Sequence, residues 1–550
     1  MSRGVKPLRP YLATQQIQLP NMSQQGRMPL PNGMSNMSNM TNISLNNIRQ
    51  RMYKPKIAVI GCGPSGLAAI RAFYAANKLD DYEIVGFEKQ REIAGIWNFI
   101  EATGIDPDGE PIHNGMYDKL WTNVPKECLE LPDMTFCDAF QTEDLPSFLP
   151  REIVQQYLTI RYGIPEIKKR IRLNTVVDLV TFNKMTQQFT ISSRDRTTAD
   201  EKMELFDYVY VCTGHYWYPN PINIPGLRNY TGNLIHAHDF RIADNFQGNN
   251  VLVVGSGISA EDIAIHLVLA KCGHIYLSSR HNPVKDYYWG SYTWPEEAER
   301  VDIITECLGG NKVRLKDKRE LEVDTIILCT GYQHHYPFLQ KDLRLNSVDS
   351  FYPAGLYKGV LWSKNPKLIY LGAQQQWLTF IQFEAQATFV RDVILGRIKT
   401  PSYMEMEQDI KKWLAKLKNT TKDGDHQEGV QFQADMIQDL MDHTDYLQKF
   451  PTYNLDISVR NIHELTKNKV DDIVGYKEKG HVNPITGIRT RDLPVKWTDI
   501  YKQDGLLKNL KNLKWKDRES NEDRKNAIYM IDDLGTGIAK MKLAGKSNEI

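Results

Sequence analysis

The segment KIAVIGCGPSGLAAIRAF, residues 56–73, is the part of the chain that decides its fold. An apolar run is followed by Gly61, Gly63 and Gly66 and then by a stretch with helical periodicity. In a dinucleotide-binding unit the first glycine permits the tight turn, the second lets a pyrophosphate approach the backbone, and the third lets helix and strand pack closely. The helix N-terminus, around Ser65, offers free N–H groups to a diphosphate. The segment therefore predicts a strand–loop–helix unit that binds a dinucleotide.

A carboxylate follows at the distance that this interpretation requires. Glu88 lies 22 residues after Gly66, at the end of the next apolar run, residues 83–87. A carboxylate at that place accepts hydrogen bonds from the ribose hydroxyls of a bound dinucleotide. Because the strand, the loop, the helix and the acid occur in register, a cofactor site explains the segment better than a chance glycine-rich turn does.

The same pattern occurs a second time in NNVLVVGSGISAEDIAIHL, residues 249–267. Alanine stands in the third glycine position and is small enough for close packing between helix and strand. We therefore predict a second dinucleotide site here. The residues assigned to it from this loop are Gly255, Ser256, Gly257, Ser259 and Ala260.

The strand after the second loop ends in Ser278, Ser279 and Arg280, without a carboxylate that would select a free 2′-hydroxyl. An arginine offers a planar, bidentate donor for a phosphate. This ending favours NADPH over NADH, with Arg280 as the discriminating residue. The alternative interpretation is a surface arginine at a strand end.

Two copies of a shorter phrase stand between and after the loops. FDYVYVCTGHY (206–216) and VDTIILCTGY (323–332) are each an apolar strand that ends in Cys-Thr-Gly. Small residues at the end of a strand let a cofactor or a crossing chain lie against the backbone. We assign to cofactor binding Thr213, Gly214, Thr330 and Gly331. The repetition predicts that the chain leaves the first nucleotide domain after Gly214 and re-enters it near Gly331.

The predicted fold class is therefore α/β, with two Rossmann-like dinucleotide-binding domains. The first domain is discontinuous, the second is inserted into it, and the C-terminal region is mostly helical. The predicted parts are a disordered N-terminal extension (1–54), the first part of the first domain (55–225), the second domain (226–324), the second part of the first domain with the helical region (325–510), and a polar tail (511–550).

The composition of this 550-residue chain limits the classes of partner that we expect it to bind. Hydrophobic residues at 41% and charged residues at 25% are typical of a soluble globular protein. The net charge of +1 provides no field that would attract nucleic acid or an acidic membrane, so neither is expected as a partner. No apolar run approaches the roughly 20 residues that a membrane span needs.

The expected compartment is the cytoplasm. The chain has seven cysteines without a CxxC pair or metal-ligand spacing, which is typical of a reducing compartment and indicates no metal site. Mitochondrial import is the alternative, because the N-terminal extension is free of acidic residues and contains Arg3, Arg9 and Arg27. Its prolines would interrupt a long amphipathic helix, which counts against import.

The connector between the loops, YTGNLIHAHDF (230–240), resembles the signature FxGxxxHxxx(Y/F) of the flavin-containing monooxygenases, with Tyr230 in place of the leading Phe. Phe240 in the last position is unlike the Baeyer-Villiger relatives, which have Trp. Three further phrases look especially like the bacterial-type trimethylamine monooxygenases. They are GIWN (95–98), MYDKLWTNVPKECLE (116–130) and GVLWSKNPKLIYLGAQQQW (359–377). The resemblance covers residues 55–510.

The resemblance implies FAD on the first loop, with Lys89, Gly95 and Trp97 joining the FAD site, and NADPH on the second. It implies that NADPH reduces FAD, that O₂ adds to give a flavin C4a-hydroperoxide, and that a tertiary amine or sulfide takes the distal oxygen. Trimethylamine, O₂ and a second copy of the chain in a homodimer are the partners that it implies.

Asn123 in LWTNVPKE matches the family asparagine that, with NADP⁺, protects this hydroperoxide. An amide suits that role because it donates and accepts hydrogen bonds at once. The alternative is a turn or helix-capping asparagine before Pro125. We interpret His236 and His238 as structural rather than as ligands or bases. Four aromatic residues are assigned either to a substrate pocket or to core packing, namely Trp362, Trp377, Phe380 and Phe383.

Three other functions fit the same fold. An NADPH oxidase would release H₂O₂, and a Baeyer-Villiger oxygenase would insert oxygen beside a carbonyl. A non-catalytic scaffold would bind dinucleotides without turnover and use its two ends to dock partners. Analysis of the products separates all three from an amine or sulfide monooxygenase.

Overall fold

A computed structural model of the chain describes residues 53–513, except 143, 281–293, 346, 348–349, 421–425, 502 and 504–505. The predicted N-terminal extension lies outside the described residues apart from Tyr53 and Lys54, and the predicted polar tail lies outside them beyond residue 513.

The strands of the described residues are β1 (Lys56–Ile60), β2 (Glu83–Phe87), β3 (Ile171–Arg172), β4 (Thr175–Asn183), β5 (Gln188–Asp195), β6 (Glu201–Phe206), β7 (Tyr208–Val211), β8 (Asn233–His236), β9 (Val251–Val254), β10 (Ile275–Ser278), β11 (Ala298–Val301), β12 (Ile304–Gly309), β13 (Lys312–Leu315), β14 (Glu320–Glu322), β15 (Thr325–Leu328), β16 (Leu356–Tyr357), β17 (Leu361–Trp362) and β18 (Leu368–Tyr370). The α-helices are α1 (Pro64–Ala75), α2 (Phe136–Phe140), α3 (Arg151–Tyr162), α4 (Pro165–Lys168), α5 (Ile258–Leu269), α6 (Thr379–Ile394), α7 (Tyr403–Thr420), α8 (His426–Asp442), α9 (Tyr446–Lys449), α10 (Leu455–Asp471), α11 (Trp497–Ile500) and α12 (Leu506–Lys511).

The first sheet has the strand order β16-β17-β18-β7-β1-β2-β3. Its five strands from β18 to β3 are parallel, and β17 and β16 extend one edge by antiparallel pairing. In the central strand β1, Ile57 aligns with Ile84 on one side and with Tyr208 on the other. The last four residues of β1 are buried, as expected of a parallel strand covered on both faces. Because β18 pairs with β7, the C-terminal half returns to this sheet.

The second sheet has the order β11-β10-β9-β15-β8, and all its strands are parallel. Its composition corrects the domain boundary that we placed between residues 324 and 325. Thr325, the first residue of β15, aligns with Asn233 on one side and Val251 on the other, so β15 completes the inserted sheet. The chain returns to the first sheet only after Leu328, with the strands β16, β17 and β18.

Each nucleotide fold also contains a three-stranded antiparallel sheet, which the sequence analysis did not anticipate. Strands β4–β6 separate β3 from β7, and strands β12–β14 separate β11 from β15. In both folds, a crossover that is a helix elsewhere in such proteins is replaced by a meander.

The helices of the C-terminal half build on the first nucleotide fold. Helix α1 packs against α6, and α8 packs against both α6 and α10. The α/β architecture with two Rossmann-like domains and a mostly helical C-terminal region is thereby confirmed. A search of the described residues found no helix that is both long and apolar enough to cross a membrane.

Two glycines of the first loop are required by packing. Gly61 has φ +90°, and a Cβ on it would lie 2.6 Å from the carbonyl oxygen of Cys212. A Cβ on Gly66 would lie 1.9 Å from the carbonyl oxygen of Gly61, where the helix crosses the loop. Gly63 differs, because its nearest neighbour would be Gly95 Cα at 3.6 Å, an ordinary contact. The first and third glycines therefore serve the fold, whereas the second leaves space.

We expect Gly66→Ala to destabilise the protein and Gly63→Ala to leave it nearly unchanged. Overpacking costs about 1–3 kcal/mol, and a clash with a backbone carbonyl belongs at the upper end of that range. Urea unfolding, after bound nucleotides have been stripped so that they do not contribute, measures both variants. Equal unfolding midpoints for the two variants would contradict the packing assigned to Gly66.

Candidate functional site

A cavity of about 570 Å³ opens at the carboxyl ends of β1, β2 and β7. This is the edge of an open α/β sheet where ligands bind. The cavity wall combines the first glycine loop, the loop of residues 110–124 and the N-terminal turn of α6. Ten of the residues assigned from the sequence lie on it: Gly61, Gly63, Ser65, Glu88, Lys89, Gly95, Trp97, Asn123, Thr213 and Gly214.

Glu88 is held by the backbone of its own surroundings. It is buried, its Oε2 accepts a hydrogen bond from the N–H of Cys62 at 2.8 Å, and its Oε1 accepts one from the N–H of Gln90 at 2.9 Å. Burial raises the pKa of this carboxyl, and the two bonds partly oppose the rise. Each oxygen keeps a second acceptor site, so the fixed carboxyl group can also accept two ribose hydroxyls.

Lys89 lies beside Glu88 on the cavity wall, and its Nζ donates to the carbonyl of Pro111 at 2.5 Å. Burial lowers the pKa of Lys89 to about 8, against the opposing influence of Glu110 and then Glu88. Its contact fixes the segment before His113 against the end of β2.

Asn123 is half-buried on the cavity wall, and its amide forms no hydrogen bond with another described residue. The chain on either side of it is anchored. The N–H of Thr122 donates to the carbonyl of Leu149 at 2.8 Å, and the N–H of Lys126 donates to the carbonyl of Ser147 at 2.5 Å. The backbone on either side of Asn123 is therefore fixed, while the side-chain amide bonds to no other described residue. A capping asparagine would use its side chain in a hydrogen bond, so the capping alternative does not explain this arrangement.

The second loop repeats the packing of the first. Gly255 has φ +137°, and a Cβ on it would lie 2.3 Å from the carbonyl oxygen of Cys329. A Cβ on Gly257 would meet nothing within 4 Å, so space is open at the N-terminus of α5. The hydroxyls of Thr213 and Thr330, within the two Cys-Thr-Gly phrases, are buried and have no hydrogen-bond partner among the residues that the structure describes. Both loops thus have room for a diphosphate group. A threonine hydroxyl beside each loop is available to donate a hydrogen bond.

Some of the assigned residues do not line the cavity. Gly66 packs inside the fold, and the others lie in the loops and the helix of the second nucleotide fold: Gly255, Ser256, Gly257, Ser259, Ala260, Arg280, Thr330 and Gly331. Arg280 is exposed, and its guanidinium forms no hydrogen bond or ion pair with another described residue. The strand end before it is pinned, since the hydroxyl of Ser278 donates to the carbonyl of Asp302 and accepts from the N–H of Ile304.

The sequence analysis missed four residues on the cavity wall. The ring of His113 stacks on Trp217 with centroids 3.7 Å apart, and burial, followed by Lys89, holds the pKa of His113 well below its usual range. Tyr117 donates a hydrogen bond to Asp262, which comes from α5 of the second fold. Tyr117 and Asp262 lie in phrases quoted above from the sequence, but neither was assigned to the site, and His113 and Trp217 lie in no quoted phrase.

The structure divides the remaining candidate residues into those that line the cavity and those that do not. Phe380 and Phe383 line the cavity, whereas Trp362 and Trp377 are buried in the core. The connector histidines lie off the cavity wall, and burial lowers the pKa of His236 to about 4. Within the described residues, no group of three His, Cys, Asp or Glu side chains could hold a metal ion.

Arg241 ties the connector to the cavity loops. Its guanidinium donates to five backbone carbonyls, those of Ile100, Ala102, Asn114, His238 and Phe240. An arginine saturated in this way fixes two chain segments to each other through its rigid planar geometry.

The thiols near the two loops are buried. Cys62 and Cys212 lie at the first loop and Cys329 at the second, and burial raises the pKa of each thiol. All seven cysteines are free.

A family described as flavin-binding monooxygenase-like matches residues 54–284 and 304–456. The chain is similar to the trimethylamine monooxygenase of Methylocella silvestris, with 42% identity over 448 residues that cover 81% of this chain and 96% of that protein. It is also similar to the crystal structure of Tmm from Pelagibacter sp. strain HTCC7211, with a TM-score of 0.75 and 37% identity, covering 80% of this chain and 97% of that one. The S-allyl-L-cysteine S-oxygenase of Allium sativum shares the fold, with a TM-score of 0.66 and 24% identity over 78% of this chain and 95% of that one.

We expect Gly63→Val to abolish flavin binding, because a branched side chain would fill the space that a pyrophosphate needs. The matched control is Gly257→Val, which makes the same change in the second loop and should keep the flavin while weakening the binding of NADPH. The flavin absorbance per folded chain measures the first effect, and nucleotide titration measures the second. A Gly63→Val protein with a full complement of flavin would refute the assignment of this loop.

Proposed function

The chain belongs to the flavin-binding monooxygenase-like family, and on that premise we propose that it oxygenates the nitrogen of a small tertiary amine, with trimethylamine as the favoured substrate. FAD and NADPH are its cofactors, and O₂ is its oxidant. One oxygen atom of O₂ goes to the amine nitrogen, and the other leaves as water with two electrons from NADPH. The product is the N-oxide.

The observation that carries this proposal is the free amide of Asn123, held on the wall of the cavity next to the first glycine loop. An oxygenase of this class has to keep activated oxygen from escaping as peroxide. An amide that donates and accepts at fixed positions suits that task. The similarity of the chain to trimethylamine monooxygenases, over most of their length, supports the choice of substrate.

The residues that would hold FAD are the first loop for its diphosphate and Glu88 for its ribose. The second loop, with Arg280, would hold NADPH. When bound, FAD supplies the two-electron chemistry that activates O₂. The protein's own task in this proposal is to position the reactants and to shield them from water.

The apolar part of the wall favours the reactive form of the substrate. Phe380, Phe383 and the stacked pair His113 and Trp217 surround the cavity with rings, and His113 is neutral because burial lowers its pKa. A tertiary amine is a nucleophile only when its nitrogen is unprotonated. Since burial without a partner disfavours a charged ammonium, the cavity promotes loss of that proton.

We also propose a cytoplasmic homodimer. The seven free cysteines are consistent with a reducing compartment, and the family resemblance supports the dimer. Sedimentation velocity of the full chain measures the number of subunits.

The proposal as a whole is tested by turnover of the purified full chain. NADPH, O₂, H₂O₂ and organic products are followed with a panel of tertiary amines, sulfides and ketones. We expect nearly one N-oxide for each NADPH consumed with trimethylamine. Release of H₂O₂ alone would indicate an oxidase, an ester or lactone from a ketone would indicate a Baeyer-Villiger oxygenase, and nucleotide binding without turnover would indicate a scaffold.

We expect Arg280→Ala to weaken NADPH selectively. Losing one charge-assisted phosphate contact costs about 1.5–3 kcal/mol, or roughly ten- to a hundredfold in affinity, and NADH has no phosphate at that place. Titration of the variant with each nucleotide measures the effect. Equal weakening of both would show that another group selects the cofactor.

We expect Asn123→Ala to reduce its flavin and consume NADPH and O₂ at near-normal rates but to release H₂O₂ in place of the N-oxide. Hydride transfer precedes the step that the amide serves, so that step alone should fail. The measurement is the ratio of N-oxide formed to NADPH consumed, in proteins of equal FAD content. A ratio equal to that of the wild type would remove Asn123 from the mechanism, and a parallel loss of every activity and of folding yield would make it structural.

A further inference from the structure

Asp262 connects the second nucleotide fold to the cavity of the first. It lies in α5, five residues after Gly257, and is buried on the cavity wall. Its Oδ2 accepts a hydrogen bond from the hydroxyl of Tyr117, which lies on the same wall. The helix that follows the second glycine loop therefore reaches the first cofactor site through this carboxylate.

The other oxygen of Asp262 is bound by a lysine of the C-terminal region. Lys477 lies in the short turn Gly475–Glu478, is completely buried, and donates from Nζ to Asp262 Oδ1 at 2.9 Å. Burial alone would raise the pKa of the Asp262 carboxyl, but Lys477 and then His266 outweigh it and lower the pKa below its usual range. Both partners are shielded from water, and the lowered pKa favours the ionised form of the Asp262 carboxyl.

Lys477 has a second acceptor in a different part of the chain. Its Nζ also donates to the carbonyl of Trp121 at 3.3 Å, two residues before Asn123. The ring of Trp497 lies 4.9 Å from the ammonium and packs against the ring of Trp121. One ammonium group, enclosed by aromatic rings, therefore joins α5 of the second fold to the segment that carries Asn123.

A second buried ion pair joins the same two regions. Glu261, the neighbour of Asp262, pairs with Lys469 in α10, and both side chains are buried. Unlike Asp262, Glu261 does not line the cavity. The chain thus contains a pair of similar burial whose carboxylate lies off the cavity wall.

We propose that Lys477 is a positioning residue that sets the second nucleotide fold in register with Asn123. This inference rests on the proposed function, because it assumes that a nucleotide held by the second loop must meet the flavin beside Asn123. Lys477 touches neither cofactor nor substrate in this assignment. It acts through Asp262 on one side and through the backbone of Trp121 on the other.

The free energy of a buried ion pair allows a positioning role of Lys477 to be tested apart from a stabilising one. A buried ion pair replaced by apolar residues of similar size often leaves stability unchanged, because the desolvation of the two charges is also removed. Removing one partner alone leaves a buried charge and destabilises the protein. A double variant that removes both charges can therefore fold and still lack the bridge.

The test compares two double variants. The first combines Lys477→Met and Asp262→Asn, and the second, the control, combines Lys469→Met and Glu261→Gln. Both remove one buried ion pair between α5 and the C-terminal region, and both leave the net charge unchanged. The single variant Lys477→Met, which keeps the cavity-lining aspartate, is measured beside them wherever it folds. Flavin content and thermal unfolding are matched before any comparison.

The first readout needs neither substrate nor NADPH. Backbone amide hydrogen exchange of residues 117–124 should accelerate by about tenfold or more in the Lys477 variants, because the bond to the Trp121 carbonyl restrains that segment. Exchange there should stay at the wild-type rate in the control. Unchanged exchange in the Lys477 variants, or equal acceleration in the control, would overturn the inference.

The second readout is the ratio of N-oxide formed to NADPH consumed. We expect it to fall severalfold in the Lys477 variants, with H₂O₂ as the balance, while the control keeps the wild-type ratio. Equal ratios in all variants would overturn the inference even if exchange had changed. A wild-type protein that forms no oxygenated product refutes the proposed function, and the exchange experiment then still decides whether Lys477 restrains the Asn123 segment.

Discussion

The structure depends on a close approach between a carbonyl oxygen and a glycine that has no Cβ. In the first nucleotide fold the carbonyl of Cys212 lies against Gly61, and in the second the carbonyl of Cys329 lies against Gly255. In each contact, the residue after one parallel strand packs against the glycine turn that follows the neighbouring strand. The strand pairs are β7 with β1 and β15 with β9. The turn is then held where a helix N-terminus and an open space face the same ligand. The rest of each cofactor site is arranged around that contact.

Much of this arrangement could be predicted from short-range pattern. The spacing of the glycines, the acid after β2 and the repeated Cys-Thr-Gly ends are local, and each has one physical explanation. The place of β15 could not be read in the same way, because an apolar strand of four residues does not encode which sheet it joins. Its partners, β8 and β9, are set by long-range packing, and so the boundary at residue 324 was wrong. The antiparallel meanders were missed for a similar reason, since their strands are partly exposed and their apolar residues do not encode which strands pair.

The site residues that sequence reasoning missed lie far apart along the chain. His113 and Trp217 stack on each other although no motif contains either, and Asp262 lies in the helix after the loop that was assigned to a different nucleotide. What brings them together is a set of side chains that bind backbone. Arg241 donates to five carbonyls, and both oxygens of Glu88 are bound by N–H groups. Such bonds fix loops that have little apolar surface of their own to bury.

The burial of the thiols beside the glycine loops has a consequence for the lifetime of the protein. Cys62, Cys212 and Cys329 stand next to the positions proposed for the two cofactors, where any peroxide lost from turnover would first be released. Peroxide attacks the thiolate and not the thiol, and burial raises the pKa of all three groups. The packing that shapes the loops therefore also keeps these thiols in the protonated form, which peroxide attacks less readily.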